Sequence, residues 1–384
     1  MPCEMHRFVQ TLPGTVAARP IIAVMRRTIR QAAPPRGSTL LVVLIAVATA
    51  PSPARAGTIR HDRDPQQYLN LGAAPEYASV GKFDLTKHEP GYAASGTLVD
   101  DKWVLTAAHA FDGTTSGSFT VGGRAYAVER WVTHPKWDGQ LRRGYDLALV
   151  KLGAPVTDVA PATLYTARRE LNSVATFVGF GRTGTGVSGH SEYDALKRAG
   201  QNTVDGTVGP EQWPANATFR DRLPRSARSF LVDFDDPTNP AESRTGGGPV
   251  DLEFLISLGD SGGGAFVNTP RGQQLAGVHS FAEIPDGSDN SDYGDITGHV
   301  RVSAHAKWIR NLLKRERKAE LAAARREARL ARLTRDSDGL ARILSPELAG
   351  SASATGGAVP EPASLSLLAL GALLLRRPSR RACA

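Results

Sequence analysis

Between residues 77 and 302 the chain is a succession of short apolar stretches cut by Gly, Pro, Asn and Asp turns, and helical periodicity starts only after Ser303. The stretches are residues 77–80, 94–99, 103–107, 119–121, 125–131, 147–152 and 175–180, then 230–234, 264–267, 274–280 and 299–302. Short strands recurring every 8 to 12 residues or so, with turn signals between them, predict an all-β barrel or sandwich. After Ser303, the residues Trp308, Ile309, Leu312 and Leu313 fall on one helical face, which is expected to dock the end of the domain onto its core. Residues 314–335 continue that helix with 9 basic and 3 acidic residues and a thin apolar stripe of Leu321, Ala328 and Leu330. This composition reads as a solvated helical spacer, with anionic polysaccharide or lipid headgroups as the alternative partner.

Charge divides the chain into segments. The formal net charge is +8 over 384 residues, but residues 1–56 carry +6, residues 57–310 carry −5 and residues 311–384 carry +7. A nucleic-acid-binding core is therefore disfavoured, because a phosphate-neutralising groove needs Lys and Arg clustered on the folded surface. The two cysteines, Cys3 and Cys383, stand near the ends. The central domain has neither disulfide nor thiol chemistry, so its stability must come from apolar burial, which about 250 residues can supply.

Both ends read as targeting segments. Arg26, Arg27, Arg30 and Arg36 precede an apolar run at residues 40–50, and Ala54-Arg55-Ala56 offers small residues two apart before Gly57. This is the pattern of a secretory signal peptide, with Met25 as a candidate start; the run is too short to span a bilayer as a helix. At the other end a Ser/Ala/Gly linker leads to Val359-Pro360-Glu361-Pro362, an apolar stretch at residues 363–375 and then Arg376, Arg377, Arg380 and Arg381. This tail resembles the PEP-CTERM sorting signal of Gram-negative bacteria, in which a short hydrophobic helix is halted by positive charge on the cytoplasmic side. The resemblance implies export machinery and an exosortase-like sorting enzyme as partners. It also implies a periplasmic, cell-surface or extracellular location, with transient or stable inner-membrane anchoring; a simple C-terminal anchor is the alternative. The expected organisation is thus 1–56 leader, 57–310 catalytic-type domain, 311–344 basic helical extension, 345–358 linker and 359–384 sorting tail.

Three short segments hold the groups that could do chemistry. Trp103-Val104-Leu105-Thr106-Ala107-Ala108-His109 is an apolar strand that ends by presenting one imidazole. Tyr145-Asp146-Leu147-Ala148-Leu149-Val150 places an acid directly before another such strand. Gly259-Asp260-Ser261-Gly262-Gly263-Gly264 flanks a hydroxyl with glycines that let the backbone turn its N–H groups inward, as an oxyanion site requires. Taken singly, these read as a structural histidine, a turn-forming aspartate and a hairpin loop.

Together, in this order and spacing, they resemble the trypsin/chymotrypsin family of serine endopeptidases, and the likeness runs over residues 78–310. Ser95-Gly96-Thr97-Leu98, Gly179-Phe180-Gly181 and Gly277-Val278-His279-Ser280-Phe281 extend the match. The resemblance implies a chymotrypsin-like double antiparallel β-barrel and a protein or peptide substrate. It makes Ser261 the nucleophile, His109 the general base and Asp146 the group that orients the imidazole. The Gly259 and Ser261 amides would bind the oxyanion, and Ser280 would support Asp146. No cofactor and no metal are expected. A catalytically silent barrel that binds a partner at the cell surface or in the extracellular matrix is the competing reading.

Departures from the family pattern are also legible. Ala110 and Ser257 stand where many relatives carry cysteines. The family's Asp260 equivalent pairs with a new N-terminus released before an Ile-Val-Gly-Gly segment; this chain has none, so its activation is open. Leu255, six residues before Ser261, would form the base of the specificity pocket, which disfavours cleavage after Lys or Arg. The unfamiliar insertion at residues 183–250 contains Asp233-Phe234-Asp235-Asp236, read as a solvated acidic loop rather than a calcium site.

Overall fold

The computed structural model describes residues 57–88, 90–206, 228–244 and 248–344. The leader, the linker, the sorting tail and residues 207–227 of the insertion lie outside these residues. The described chain enters with β1 (Gly57–Ile59) and α1 (Pro65–Gly72), whose first turn is set by Pro65 and by Asp64 accepting the Gln66 N–H.

A closed barrel follows, built from β2 (Val80–Thr86), β3 (Pro90–Asp100), β4 (Trp103–Thr106), β5 (Ser116–Val121), β6 (Arg124–Thr133) and β7 (Ala148–Leu152). Every ladder is antiparallel, in the order β2-β3-β4-β7-β6-β5. Alternate residues point inward, so Phe83, Leu85, Leu98, Val104, Phe119 and Val150 fill the barrel. Burying each such side chain is worth about 1.5–3 kcal/mol.

The second half comprises β8 (Val174–Gly179), β9 (Thr183–Thr185), β10 (Gly189–Glu192), β11 (Arg198–Thr203), β12 (Ser229–Asp233), β13 (Phe254–Leu255), β14 (Gly264–Thr269), β15 (Gly272–Glu283) and β16 (Ile296–Arg301). Six of these strands form a second antiparallel sheet in the order β11-β8-β14-β15-β16-β12. Its edges meet at one bridge, where Leu231 donates to Gly206 O at 2.8 Å and accepts from the Asp205 N–H at 3.0 Å. Phe177, Phe230, Val232, Ala265 and Val267 fill its interior. A third core cluster, with Leu105, Leu149, Val178, Phe266 and Val278, joins the two sheets. This is the double antiparallel barrel, chymotrypsin-like in order, that the sequence implied.

The small sheet β10-β9-β1-β13 sets β1 between β9, to which it runs parallel, and β13, to which it runs antiparallel. The chain closes with α2 (Val302–Leu344), one continuous helix of 43 residues. Ile309 and Leu312 are buried and Trp308 and Leu313 partly so, on the face expected to dock. Farther along, Lys151 Nζ pairs with Glu320 at 3.0 Å, Arg317 with Asp100 at 2.7 Å, and Arg130 with Glu316. Leu321, Leu330 and Leu333 beyond these pairs are exposed. Among the described residues no helix is long and apolar enough to cross a membrane.

Candidate active site

His109 leaves β4 on a short helical turn after three buried small residues, Thr106, Ala107 and Ala108. Thr106 Oγ1 donates to Ser95 O at 2.8 Å and so pins the strand end. Asp146 precedes β7 and is fully buried. It accepts three hydrogen bonds: the His109 backbone N–H at 2.8 Å, His109 Nδ1 at 2.7 Å and the Ser280 hydroxyl at 2.6 Å. With Nδ1–H committed to the carboxylate, Nε2 is left as an acceptor, and it lies 2.9 Å from Ser261 Oγ. Three groups separated by up to 152 positions thus form one hydrogen-bonded chain.

Ser261 sits on the loop between β13 and β14, and two close approaches shape that loop. Gly259 has φ +98°, in the left-handed region, and a Cβ there would stand 3.1 Å from the Gly181 Cα. A Cβ on Gly181 would meet the Asp260 carboxylate at 2.5 Å, so both glycines are needed where the strands converge. Ser95 holds the same loop from the first barrel. Its hydroxyl donates to Gly259 O at 3.1 Å and accepts the Phe180 N–H at 3.0 Å, and its own N–H donates to Ser261 O at 2.9 Å. Among the described residues, neither the Gly259 nor the Ser261 amide has an acceptor within the protein.

Asp260 is fully buried and accepts the N–H groups of Gly181 at 2.7 Å and Ser257 at 2.9 Å, plus the Ser257 hydroxyl at 3.3 Å. Burial pushes its carboxyl up to about 6, against these bonds and the charge of buried Arg198. The loop is therefore held by two amides and a hydroxyl, in the field of an internal guanidinium. Arg198 in turn grips Asp194 at 2.7 and 3.1 Å.

The cleft beside these groups has a volume of about 260 Å³ and is bounded by His109, Ser261, Ile256, Phe281, Ile284 and Asp289, among others. Leu255 departs from its expected place. It is fully buried in the core with Ile59 and Phe254, and its neighbour Ile256 faces the cleft instead. β13 ends at Leu255, and the chain turns toward the cleft only from Ile256 onward.

The acidic insertion also departs from expectation. Asp233 and Asp235 are buried, not solvated, and Asp233 Oδ2 accepts the Arg244 N–H at 2.6 Å. Asp205 is pushed far up by burial and by Asp233 beside it. Asp295, buried near Asp292 and Asp286, is pushed up to about 8. Burial acts oppositely on imidazoles, taking His279 down to about 3 and His305 to about 4. The sign of the stability profile follows. Above about pH 7.5 the histidines are almost wholly neutral in both states, while Asp205 and Asp295 hold protons only in the folded one. Stability is expected to fall as pH rises from about 7.5 to 8.5, by up to about 1.4 kcal/mol per pH unit for each retained proton. Denaturant titrations at both pH values check this; a rising stability would show that these carboxyls are ionised in the folded protein.

Residues 73–218 match the family model described as Trypsin. That span holds His109 and Asp146 and ends before Ser261. A trypsin from Phaedon cochleariae is 32% identical over 123 residues, which are 28% of this chain and 46% of that protein. Chymotrypsin-like elastase family member 1 from Canis lupus familiaris is 32% identical over 93 residues, 21% of this chain and 33% of that protein. The chain spans less than half the length of either relative. Among solved structures, HL collagenase is 20% identical with a TM-score of 0.47, covering 68% of this chain and 98% of that one. Neuropsin, a serine protease of mouse brain, is 16% identical with a TM-score of 0.46, covering 63% and 97%. Over residues 73–218 the chain is thus similar to trypsin-like serine proteases.

Proposed function

We propose that the protein is a serine endopeptidase that hydrolyses peptide bonds through an acyl-enzyme. The observation that carries this reading is the continuous chain Ser261 Oγ, His109 Nε2, His109 Nδ1 and Asp146, at 2.9 and 2.7 Å. Ser261 Oγ attacks the scissile carbonyl while its proton passes to His109. The carbonyl oxygen becomes an oxyanion beside the Gly259 and Ser261 amides, each worth about 3–4 kcal/mol in such sites. Asp146 stabilises the imidazolium that forms. His109 then gives the proton to the leaving amine, the C–N bond breaks, and water repeats the sequence in reverse to free the acid and Ser261.

Ile256, Phe281 and Ile284 on the cleft wall favour an apolar or small side chain over Lys or Arg at the cleaved bond. The leader and the sorting tail support an exported enzyme, anchored or sorted through its C-terminus. The small residues of Ala54-Arg55-Ala56 fit release of the leader before Gly57.

A fluorophosphonate probe is expected to label the wild-type protein and not Ser261→Ala. Folded wild-type protein that takes no label would favour the silent binding module. Ser95→Ala is expected to lower kcat about fivefold to tenfold with KM little changed, because it frees the Gly259 carbonyl on the oxyanion loop. Steady-state kinetics on a peptide amide separate the two constants, and an unaltered kcat would reduce Ser95 to a packing role.

A further inference from the structure

A second cavity, about 350 Å³ in volume, opens beside the segment between β15 and β16. Asp236, Glu242, Asp286, Asp292 and Asp295 line it, and Arg244 is the one cation among its lining residues. Arg244 donates to Gly294 O at 3.2 Å and lies 3.7 Å from Glu242 on the same cavity wall, leaving four further carboxylates there without a cation from the lining. One oxygen from each of Asp286, Asp292 and Asp295 lies within 4.8 Å of the other two. Asp292 has one neutral partner, the Asn290 side-chain amide at 2.9 Å. Asp295 is 1% exposed, and neither of its oxygens accepts a hydrogen bond of normal geometry. A buried carboxylate in that condition costs several kcal/mol unless a proton or a cation balances it.

We propose that Asp286, Asp292 and Asp295 form a binding site for a hard divalent cation of the calcium type. All three donors are carboxylate oxygens, the ligands such ions prefer and thiophilic metals do not. Two oxygens held about 2.4 Å from one cation stand at most about 4.8 Å apart, and the three carboxylate oxygens fall within that span. Asp286 is exposed, Asp292 half-buried and Asp295 buried, so the cation has an open route inward and a desolvated carboxylate at the end of it. This site departs from the expectation of no metal, and it uses other residues than the Asp233 to Asp236 run, of which only Asp236 reaches the cavity.

The same loop faces the catalytic cleft with Ile284, Asp289 and Ser291. A bound cation would therefore hold one wall of that cleft in place. This consequence rests on the peptidase reading, whereas cation binding does not.

The test is calorimetric titration of the full chain, freed of metal with EDTA, with Ca²⁺ alone, beside its thermal unfolding with and without Ca²⁺. One site with a dissociation constant of about 0.1 to 1 mM is expected, as is a rise in Tm of about 2–4 °C at saturation. Asp295→Asn should abolish binding. Asp286→Asn, at an exposed position on which the fold does not depend, should weaken it about tenfold or more. Absence of both heat and Tm shift up to about 10 mM Ca²⁺ would overturn the proposal, and so would binding unchanged in both variants. Fluorophosphonate labelling is unaffected by either result, so failure here and failure of the peptidase reading stay distinguishable.

Discussion

Ser261→Ala is expected to lower kcat for peptide hydrolysis by about 10⁶, and adding His109→Ala to that variant to cost almost nothing more. The reason is geometric. The imidazole contributes through one atom, Nε2, which lies 2.9 Å from the serine oxygen; without that oxygen it has no proton to take. What remains, about 10³ over the uncatalysed rate, would come from the Gly259 and Ser261 amides and from substrate binding. Comparing kcat/KM of both single variants and the double variant decides the matter. Additive losses, or a Ser261→Ala variant within tenfold of wild type, would mean that the two groups do not act as a unit.

Asp146→Asn is expected to lower kcat by about 10⁴ while leaving the protein folded. Oδ1 accepts the His109 backbone N–H, and Oδ2 accepts both His109 Nδ1 and the Ser280 hydroxyl. A side-chain amide offers one acceptor oxygen. If that oxygen keeps the backbone N–H, its NH₂ faces the ring and drives the proton from Nδ1 to Nε2, so that the imidazole can no longer accept the serine proton. Ser280→Ala removes one donor of three and should cost far less. Kinetics at raised pH sharpen the contrast, because hydroxide can partly substitute for the missing base in Asp146→Asn. Equal losses in the two variants would argue that Asp146 acts by packing alone.

The parts of this architecture that were legible in the chain are those written in apolar alternation or in glycine. β4, β7, β8, β14 and β15 follow such patterns, and the Gly259 to Gly264 run stands out by composition. β11 was not legible, because Arg198-Ala199-Gly200-Gln201-Asn202-Thr203 carries no apolar period. It is a strand because it pairs along its whole length with β8, while its polar side chains are satisfied off the ladder: Asn202 donates to Asp233 O at 2.6 Å, and Arg198 to Asp194 in the preceding loop. Such pairings span dozens of residues or a loop of unreadable shape, and no local pattern announces them. Asp233 and Asp235 misled for a related reason. Their charge suggests water, but Phe230, Val232 and Phe234 carry the segment into the core and the carboxylates go with it. Ser95 was visible only as part of a motif, and its grip on Gly259 exists because the two barrels meet there.

β1 has a consequence for how this protein comes into being. Its three residues are the first described part of the domain, yet Thr58 pairs with Gly184 on one side and Leu255 on the other. Both partners emerge from the ribosome long after it, and contacts so distant along a polypeptide close slowly. The start of the domain is therefore the keystone laid last: until Leu255 has been synthesised, that short strand has only one of its two neighbours, and the small sheet stays open on the other side.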